Sequence, residues 1–516
     1  MKPPVMRPTP ARPSVNANAR ARPIAAIALT AGILAACAVG PNFKQPPAPT
    51  TKSYVAGELP QGTASNDSKG GEAQRFVAGL DIPGQWWTLF QSTDLNALIE
   101  RALDHNPTLE AAHAALRQAN ETLAAQRGSY YPSVSASGGA QRSKSSGTAI
   151  GEPQIGSFYY TLNSASVNVS YGIDAFGGTR RQVEALQAQS DYEQYALEAS
   201  YLSLTANIVT AAVSEASVRA QIAATEDIAR AQQTQLDIVR RRLSAGGASR
   251  ADVAQQQAAL ANTLASLPPL RNQLAQLRNQ LATYTGDLPA DFQSGAFTLD
   301  SLNLPADLPV SLPSKLVEQR PDVREYSALL HAATAQVGVA TANMLPQITL
   351  TGSYGGEATE FSQVFNPTSV IWSLAASVTQ PIFKGGQLKH QRRAAIAAAQ
   401  QAAANYKSTV LTAFQDVSNT LIALQFDAET FAASATAERA AAVSLDLVKV
   451  QYGSGAASYV QVLTAEQAYQ TAAIAVVKAR AQRYADTAAL FQALGGGWWN
   501  RTDIDKNSSD CCKGKL

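Results

Sequence analysis

Few residues in this chain could do chemistry, and they are poorly placed for catalysis. It has four His, at 105, 113, 331 and 390, and three Cys, at 37, 511 and 512. His105 and His113 are eight apart and could share a helix face. No acid cluster stands near them at ligand spacing, so a surface or core role is expected and no metal site. No HExxH, GxxxxGK[ST] or GxSxG occurs, so neither an enzyme nor a cofactor is expected. The chain between Ala38 and Asp510 has no Cys, which excludes a disulfide-stapled core and a Cys-ligated zinc there. The vicinal pair Cys511-Cys512 receives no role. With 16% charged residues and a net charge of +2, nucleic-acid binding is not expected either.

One thiol has a setting of its own. Lys2, Arg7, Arg12, Arg20 and Arg22 precede an apolar run from Ile24 to Ala36, with no acid among them. The run is too short to span a bilayer as a helix and right for the apolar core of a signal peptide. It ends in Leu34-Ala35-Ala36-Cys37, which resembles the bacterial lipobox, in which the Cys becomes the acylated first residue. Residue 38 is Ala rather than Asp, which by the same resemblance favours the outer membrane. Met6 is an alternative start. Without residues 1–36 the 41 Lys and Arg become 36 against 39 Asp and Glu, so the mature chain carries −3. No other uninterrupted apolar run reaches the length of a transmembrane helix.

The rest is one plan written twice. Pro107 and Pro321 open similar segments, each with a second Pro 25 residues on, at 132 and 346. Asp174-Ala175-Phe176-Gly177-Gly178 corresponds to Pro381-Ile382-Phe383-Lys384-Gly385-Gly386, and Gly246-Gly247-Ala248-Ser249 to Gly455-Ala456-Ala457-Ser458. Each half reads helix, strand, strand, very long helix, turn, return helix. The long helices are expected over 179–245 and 387–452, which hold no Gly or Pro and are rich in Ala, Gln, Leu, Arg and Glu. Each would be about 100 Å long at 1.5 Å per residue, so they must pack lengthwise as a coiled coil. The return helices are 248–285 and 456–494, the first interrupted at Pro268-Pro269.

The strands alternate. Val167, Val169, Tyr171 and Ile173 interleave with Asn168, Ser170, Gly172 and Asp174; Ile348, Leu350, Gly352 and Tyr354 with Gln347, Thr349, Thr351 and Ser353. Trp372, Leu374, Ala376 and Val378 form a third strand and 132–142 a weaker fourth. One apolar and one polar face suits a membrane β-barrel, and equally a sandwich with one wet face; the secretory start favours the barrel. Four strands cannot close a barrel, and open edges are forbidden in lipid, so copies of the chain must share one. Two copies give about eight strands, a barrel filled by side chains, so a duct favours three or more.

These residues together resemble the TolC-like outer membrane factor family, and most closely its NodT-type efflux lipoproteins. The resemblance rests on Cys37-Ala38-Val39-Gly40-Pro41-Asn42-Phe43, Trp86-Trp87-Thr88-Leu89-Phe90, Asp174-Ala175-Phe176-Gly177, the run Val317 to Val323 and the run Ala340 to Pro346, and covers nearly all of 37–497. It implies an α+β membrane protein: a homotrimer with a twelve-stranded outer-membrane β-barrel continued by a twelve-helix periplasmic α-barrel. It implies a lipid anchor in the outer membrane, docking to a periplasmic adaptor, and a proton-driven inner-membrane transporter as energy source. The expected segments are a signal peptide (1–36), a lipidated linker and equatorial segment (37–104), a first repeat (105–286), an equatorial linker (287–318), a second repeat (319–497) and a tail (498–516).

On that reading the helix–helix turns are the adaptor-docking tips, made by Gly246, Gly247, Ala248 and Ser249 and by Gly453, Ser454, Gly455 and Ser458. The glycines let the backbone reverse. The family often rings its gate with acids just past the second tip, but the matching residues are Gln461 and Thr464, and a gate Arg of the family is matched by Ala457. Tyr452 is retained. Asp252 of the first half is the remaining gate candidate, or else compensates a helix dipole. Trp86, Trp87, Trp498 and Trp499 are expected to pack in an equatorial belt where the chain ends meet. Residues 44–80 and 500–516 read as linker or tail. Three functions are consistent with this sequence: a duct for small toxic compounds, which the lipidated Cys37 favours, a duct for type I protein secretion, and a poreless envelope coiled coil.

Overall fold

The computed structural model describes residues 38–293, 295 and 297–501. The elements, in order, are β1 (Arg75–Ala78), α1 (Thr93–His105), α2 (Pro107–Arg127), β2 (Ser133–Ser146), β3 (Ser157–Ile173), α3 (Gly178–Ser244), α4 (Arg250–Ala265), α5 (Leu267–Tyr284), β4 (Asp307–Val310), α6 (Pro313–Gln319), α7 (Pro321–Ala342), β5 (Gln347–Ala358), β6 (Val370–Thr379), α8 (Gln387–Gly453) and α9 (Tyr459–Ala493). Both halves therefore run helix, strand, strand, long helix, return helix. Each long helix has 67 residues without a break. The return of the first half stops at Ser266 and restarts as α5, with the prolines in its first turn, where a missing N–H costs nothing.

The chain divides into two compact units. The first comprises residues 38–44, 122–188 and 331–401 and contains a four-stranded antiparallel sheet in the order β2-β3-β5-β6. Register decides what the alternation means. Val167 stands opposite Tyr354, which stands opposite Trp372; Val169, Gly352 and Leu374 form the next such row, and Ile173, Ile348 and Val378 another. Every apolar set thus falls on one face, and that face is bare: Tyr354, Trp372, Leu374 and Val378 are all largely exposed. The opposite face is polar and knitted by side chains, with Ser353 and Ser373 hydroxyls 2.8 Å apart and Asn168 donating to the Ser137 hydroxyl at 3.0 Å. Within the chain β2 and β6 are sheet edges.

The second unit comprises residues 45–121, 189–330 and 402–501 and holds the main core. Its centre is Trp86, Trp87 and Phe90 with Leu95, Ile99, Ile208, Val417, Tyr484 and Phe491, all nearly inaccessible. The Trp86 ring stacks on Phe491 at 5.4 Å. One window of α3 is apolar enough to cross a membrane, but most of it is buried in the protein. Its apolar residues Ile208, Val209, Ala212 and Val213 pack in this core.

Two sequence expectations need correction here. Residues 44–80 are not merely a linker: Arg75–Ala78 pairs in parallel with Asp307–Val310. The main chain recruited that partner from 232 residues away, which no local pattern could announce. Nor do His105 and His113 share a helix, because α1 ends at His105 and α2 starts at Pro107. Asn106 between them is extended, as a residue before proline prefers.

Candidate functional site

The two turns between long and return helices share one geometry. In the first, Gly247 N–H donates to the Arg242 carbonyl at 2.8 Å and Gly246 N–H to the Leu243 carbonyl at 3.0 Å. In the second, Ala456 N–H donates to the Gln451 carbonyl at 2.8 Å and Gly455 N–H to the Tyr452 carbonyl at 3.2 Å. Both are Schellman closures, which need a left-handed residue just past the helix. Gly246 (φ +72) and Gly455 (φ +82) supply it. Gly247 and Gly453 have no positive φ, so of the four glycines only these two are required by backbone conformation. Gly246, Gly247, Gly453, Ser454 and Gly455 are exposed, and Ala248 is half-buried.

The helices that follow start alike as well. Ser249 and Asp252 cap each other: the Ser249 hydroxyl accepts from Asp252 N–H at 3.1 Å and the Asp252 carboxylate from Ser249 N–H at 2.8 Å. Gln461 returns to Ser458 in the same manner, accepting from its N–H at 2.7 Å. Asp252 is therefore engaged at a helix N-terminus, where a negative charge is favoured. Thr464 is exposed and bonds back to the Val460 carbonyl at 2.9 Å.

Tyr452, among the gate candidates, has a long-range side-chain partner in Arg242. Its ring lies 5.3 Å from that of Tyr459 and carries the Arg242 guanidinium 4.5 Å from its centroid. Tyr459, buried, donates to Gln256, whose amide in turn donates to the Gln232 carbonyl at 3.0 Å. Glu466 is buried alongside, and burial raises its carboxyl above the usual range. Arg242, Gln256, Tyr459 and Glu466 were missed by sequence reasoning, because nothing in their spacing announces a shared neighbourhood.

In the first unit, the residues that follow Cys37 are tightly held. Cys37 itself, like residues 1–36 and Cys511-Cys512, lies outside the described residues. Val39 N–H donates to the Phe176 carbonyl at 3.1 Å, just beyond β3. Arg181, 4% exposed, donates to the Val39 carbonyl at 3.1 Å and the Asn42 amide oxygen at 2.6 Å, and pairs with Glu184 at 2.6 Å. His331 meets the other Glu184 oxygen at 3.0 Å and stacks on Phe43 at 4.4 Å. His331 thus belongs to a structural clasp.

Residues 98–287 and 312–496 match the sequence profile of the family described as outer membrane efflux protein. The chain belongs to that family. Over 481 residues this efflux protein is 30% identical to the probable efflux pump outer membrane protein TtgC of Pseudomonas putida, covering 92% of itself and 96% of TtgC. It is 27% identical over 480 residues to the probable outer membrane lipoprotein SilC of Salmonella typhimurium, covering 90% and 97%. Among solved structures it resembles the outer-membrane channel OprN with a TM-score of 0.81 and 26% identity, covering 90% of itself and all of OprN.

The C-terminal tryptophans of the efflux protein are tied to the segments around Asp81 and Gln319. Trp499 and Asn500 side chains donate to the Asp81 carboxylate at 3.1 and 2.8 Å, and Trp498 donates to the Gln319 carbonyl at 2.7 Å. Nearby, Asp427 of α8 faces Asp486 of α9. Burial, and then this second carboxyl, raise Asp427 from 3.8 to about 8. Its protonated form is thus favoured by folding, so its contribution to stability is complete below about pH 4 and is lost as pH rises toward 8. Asp427→Asn should flatten this decline, giving a smaller loss of melting temperature between pH 5 and 9 than wild type. An unchanged slope would assign the pH dependence to other groups.

Proposed function

We propose that three copies of this chain form an outer-membrane duct that passively conducts small toxic compounds outward for a tripartite pump. The observation that carries this reading is the four-stranded sheet: it bares one apolar face and ends in two open edges, in a chain with two 67-residue helices. Lipid suits the bare face, and only closure by other copies removes the edges. Three copies give a twelve-stranded barrel and a twelve-helix continuation. TtgC is named as an efflux pump outer membrane protein, which supports the duct, and SilC as an outer membrane lipoprotein, which supports a lipid on Cys37.

On this reading the turns at Gly246–Ser249 and Gly453–Ser458 dock a periplasmic adaptor, which links the duct to a proton-driven inner-membrane transporter. Asp252, Tyr452, Gln461 and Thr464 stand at the start and end of the helices that frame the aperture. Asp252 and Gln461 act there first as helix caps. Deleting the gene should sensitise cells several-fold to small toxic compounds, and a plasmid copy should restore resistance. Unchanged sensitivity together with a lost secreted protein would replace efflux by type I secretion.

A further inference from the structure

Two cations stand on the otherwise uncharged face of the four-stranded sheet. The register of β2 against β3 sets Ala136 opposite Val167, Arg142 opposite Thr161 and Lys144 opposite Tyr159. Side chains alternate along a strand, so Arg142, Lys144 and Tyr159 share the bare face with Val167, Tyr354, Trp372 and Leu374. Among the described residues of the four strands, Arg142 and Lys144 are the only charged ones on that face. Both are exposed, and neither has a carboxylate partner among the described residues. The Lys144 ammonium lies 5.5 Å from the centre of the Tyr159 ring.

The strands set their depth. Thr161, beside Arg142, stands twelve residues from Ile173 at the base of the apolar rows. At about 3.4 Å per residue and a tilt of about 40°, that is a height of about 30 Å. The apolar band of a membrane barrel is about 25 Å tall, so both cations fall just beyond it, at the level of lipid headgroups. One step below them the loop between β5 and β6 folds against the same face. Asn163 donates to the Thr359 carbonyl at 3.0 Å, and a Cβ on Gly356 would collide with the Val364 carbonyl. That loop carries Phe361 and Phe365, both largely exposed, with rings 6.3 Å apart edge to face. Apolar rows, aromatic rings and cations thus follow one another in the order that acyl chain, interface and headgroup do.

We propose that Arg142 and Lys144 bind the phosphate of a phosphorylated glycolipid in the outer leaflet, whose acyl chains lie along the apolar rows. The site rests on the duct reading above, which turns this face to lipid and this end of the strands outward. Arg142 offers a planar fork to two phosphate oxygens, and Lys144 a point charge beside it. A free anion would gain the cations but not the apolar rows, so a lipid is the favoured occupant.

The test titrates the purified full-length protein in detergent with diphosphorylated lipid A and follows its melting temperature, with oligomeric state and single-channel conductance read on the same samples. Arg142→Gln and Lys144→Gln should each weaken binding about fivefold, and the double variant about twentyfold. Dephosphorylated lipid A should bind wild type as weakly as lipid A binds the double variant. Inorganic phosphate should not stabilise wild type. Oligomeric state and conductance should be those of wild type throughout, since both side chains are exposed. Equal affinity of wild type and double variant for lipid A would overturn the site. Stabilisation by inorganic phosphate as strong as by lipid A would overturn the lipid as its source. Dissociation of the double variant would assign the cations to contacts between copies and overturn the proposal as well. Each of these results in a conducting wild-type trimer leaves the duct reading intact, whereas wild type that stays a single chain and carries no current would overturn that reading itself.

Discussion

Arg483→Met should lower the stability of the second unit by roughly 2–4 kcal/mol, since buried carbonyls that lose their donor cost about 1–3 kcal/mol each. Arg483 is 1% exposed on α9, yet its side-chain hydrogen-bond acceptors all lie more than 400 positions earlier. It donates to the Gly70 carbonyl at 2.5 Å and the Glu72 carbonyl at 3.0 Å, and reaches the Gln74 amide oxygen and Thr63 hydroxyl at 3.4 Å. Met retains most of the volume but loses the guanidinium over the Phe431 ring, and it leaves the Gly70 and Glu72 carbonyls without this donor in a dry site. Lys should not rescue, because one ammonium cannot span the same fork. The expected results are a lower melting temperature and new protease cleavage between residues 63 and 74. A variant that melts like wild type and resists cleavage would show that the loop is held by β1 pairing and the Gln74 bonds alone.

The second large effect concerns assembly. On α8, Leu411, Ile422, Phe426, Val443, Leu447 and Val450 are all large, apolar and exposed. With 3.6 residues per turn they fall within about 60° either side of one line along the helix. Phe426 is 60% exposed, Leu447 58% and Val450 71%, an apolar stripe that water would not tolerate on a finished surface. If copies of the chain cover it, Leu447→Asp should abolish the trimer, since each copy would then bury a carboxylate without a partner. The isolated chain should keep its fold, because the residue touches solvent there. Light scattering of detergent-solubilised protein should therefore read one chain instead of three, while Leu447→Met reads three. A trimer unaffected by the Asp would turn the stripe toward another occupant.

Much of this protein was legible in its sequence for simple physical reasons. Helix propensity and the lack of Gly and Pro over 179–245 and 387–452 specified two long helices, and Pro268-Pro269 a break. Strict alternation specified strands with one apolar side, and the match of Gly-Gly-Ala-Ser at 246–249 to Gly-Ala-Ala-Ser at 455–458 specified two equivalent turns. These are local or periodic signals, and the chain keeps them in any context. Only the tertiary structure decided the rest. Register joined the apolar rows of β3, β5 and β6 into one bare face. Backbone closure decided that Gly246 and Gly455, not Gly247 or Gly453, take positive φ. Side chains decided that Asp252 caps a helix, that Arg242 finds Tyr452, that Arg483 clasps residues 63–74, and that His331 joins Arg181 and Glu184 behind Val39. Each such contact joins residues from distant parts of the chain or depends on the exact path of the backbone, and a one-dimensional pattern carries neither.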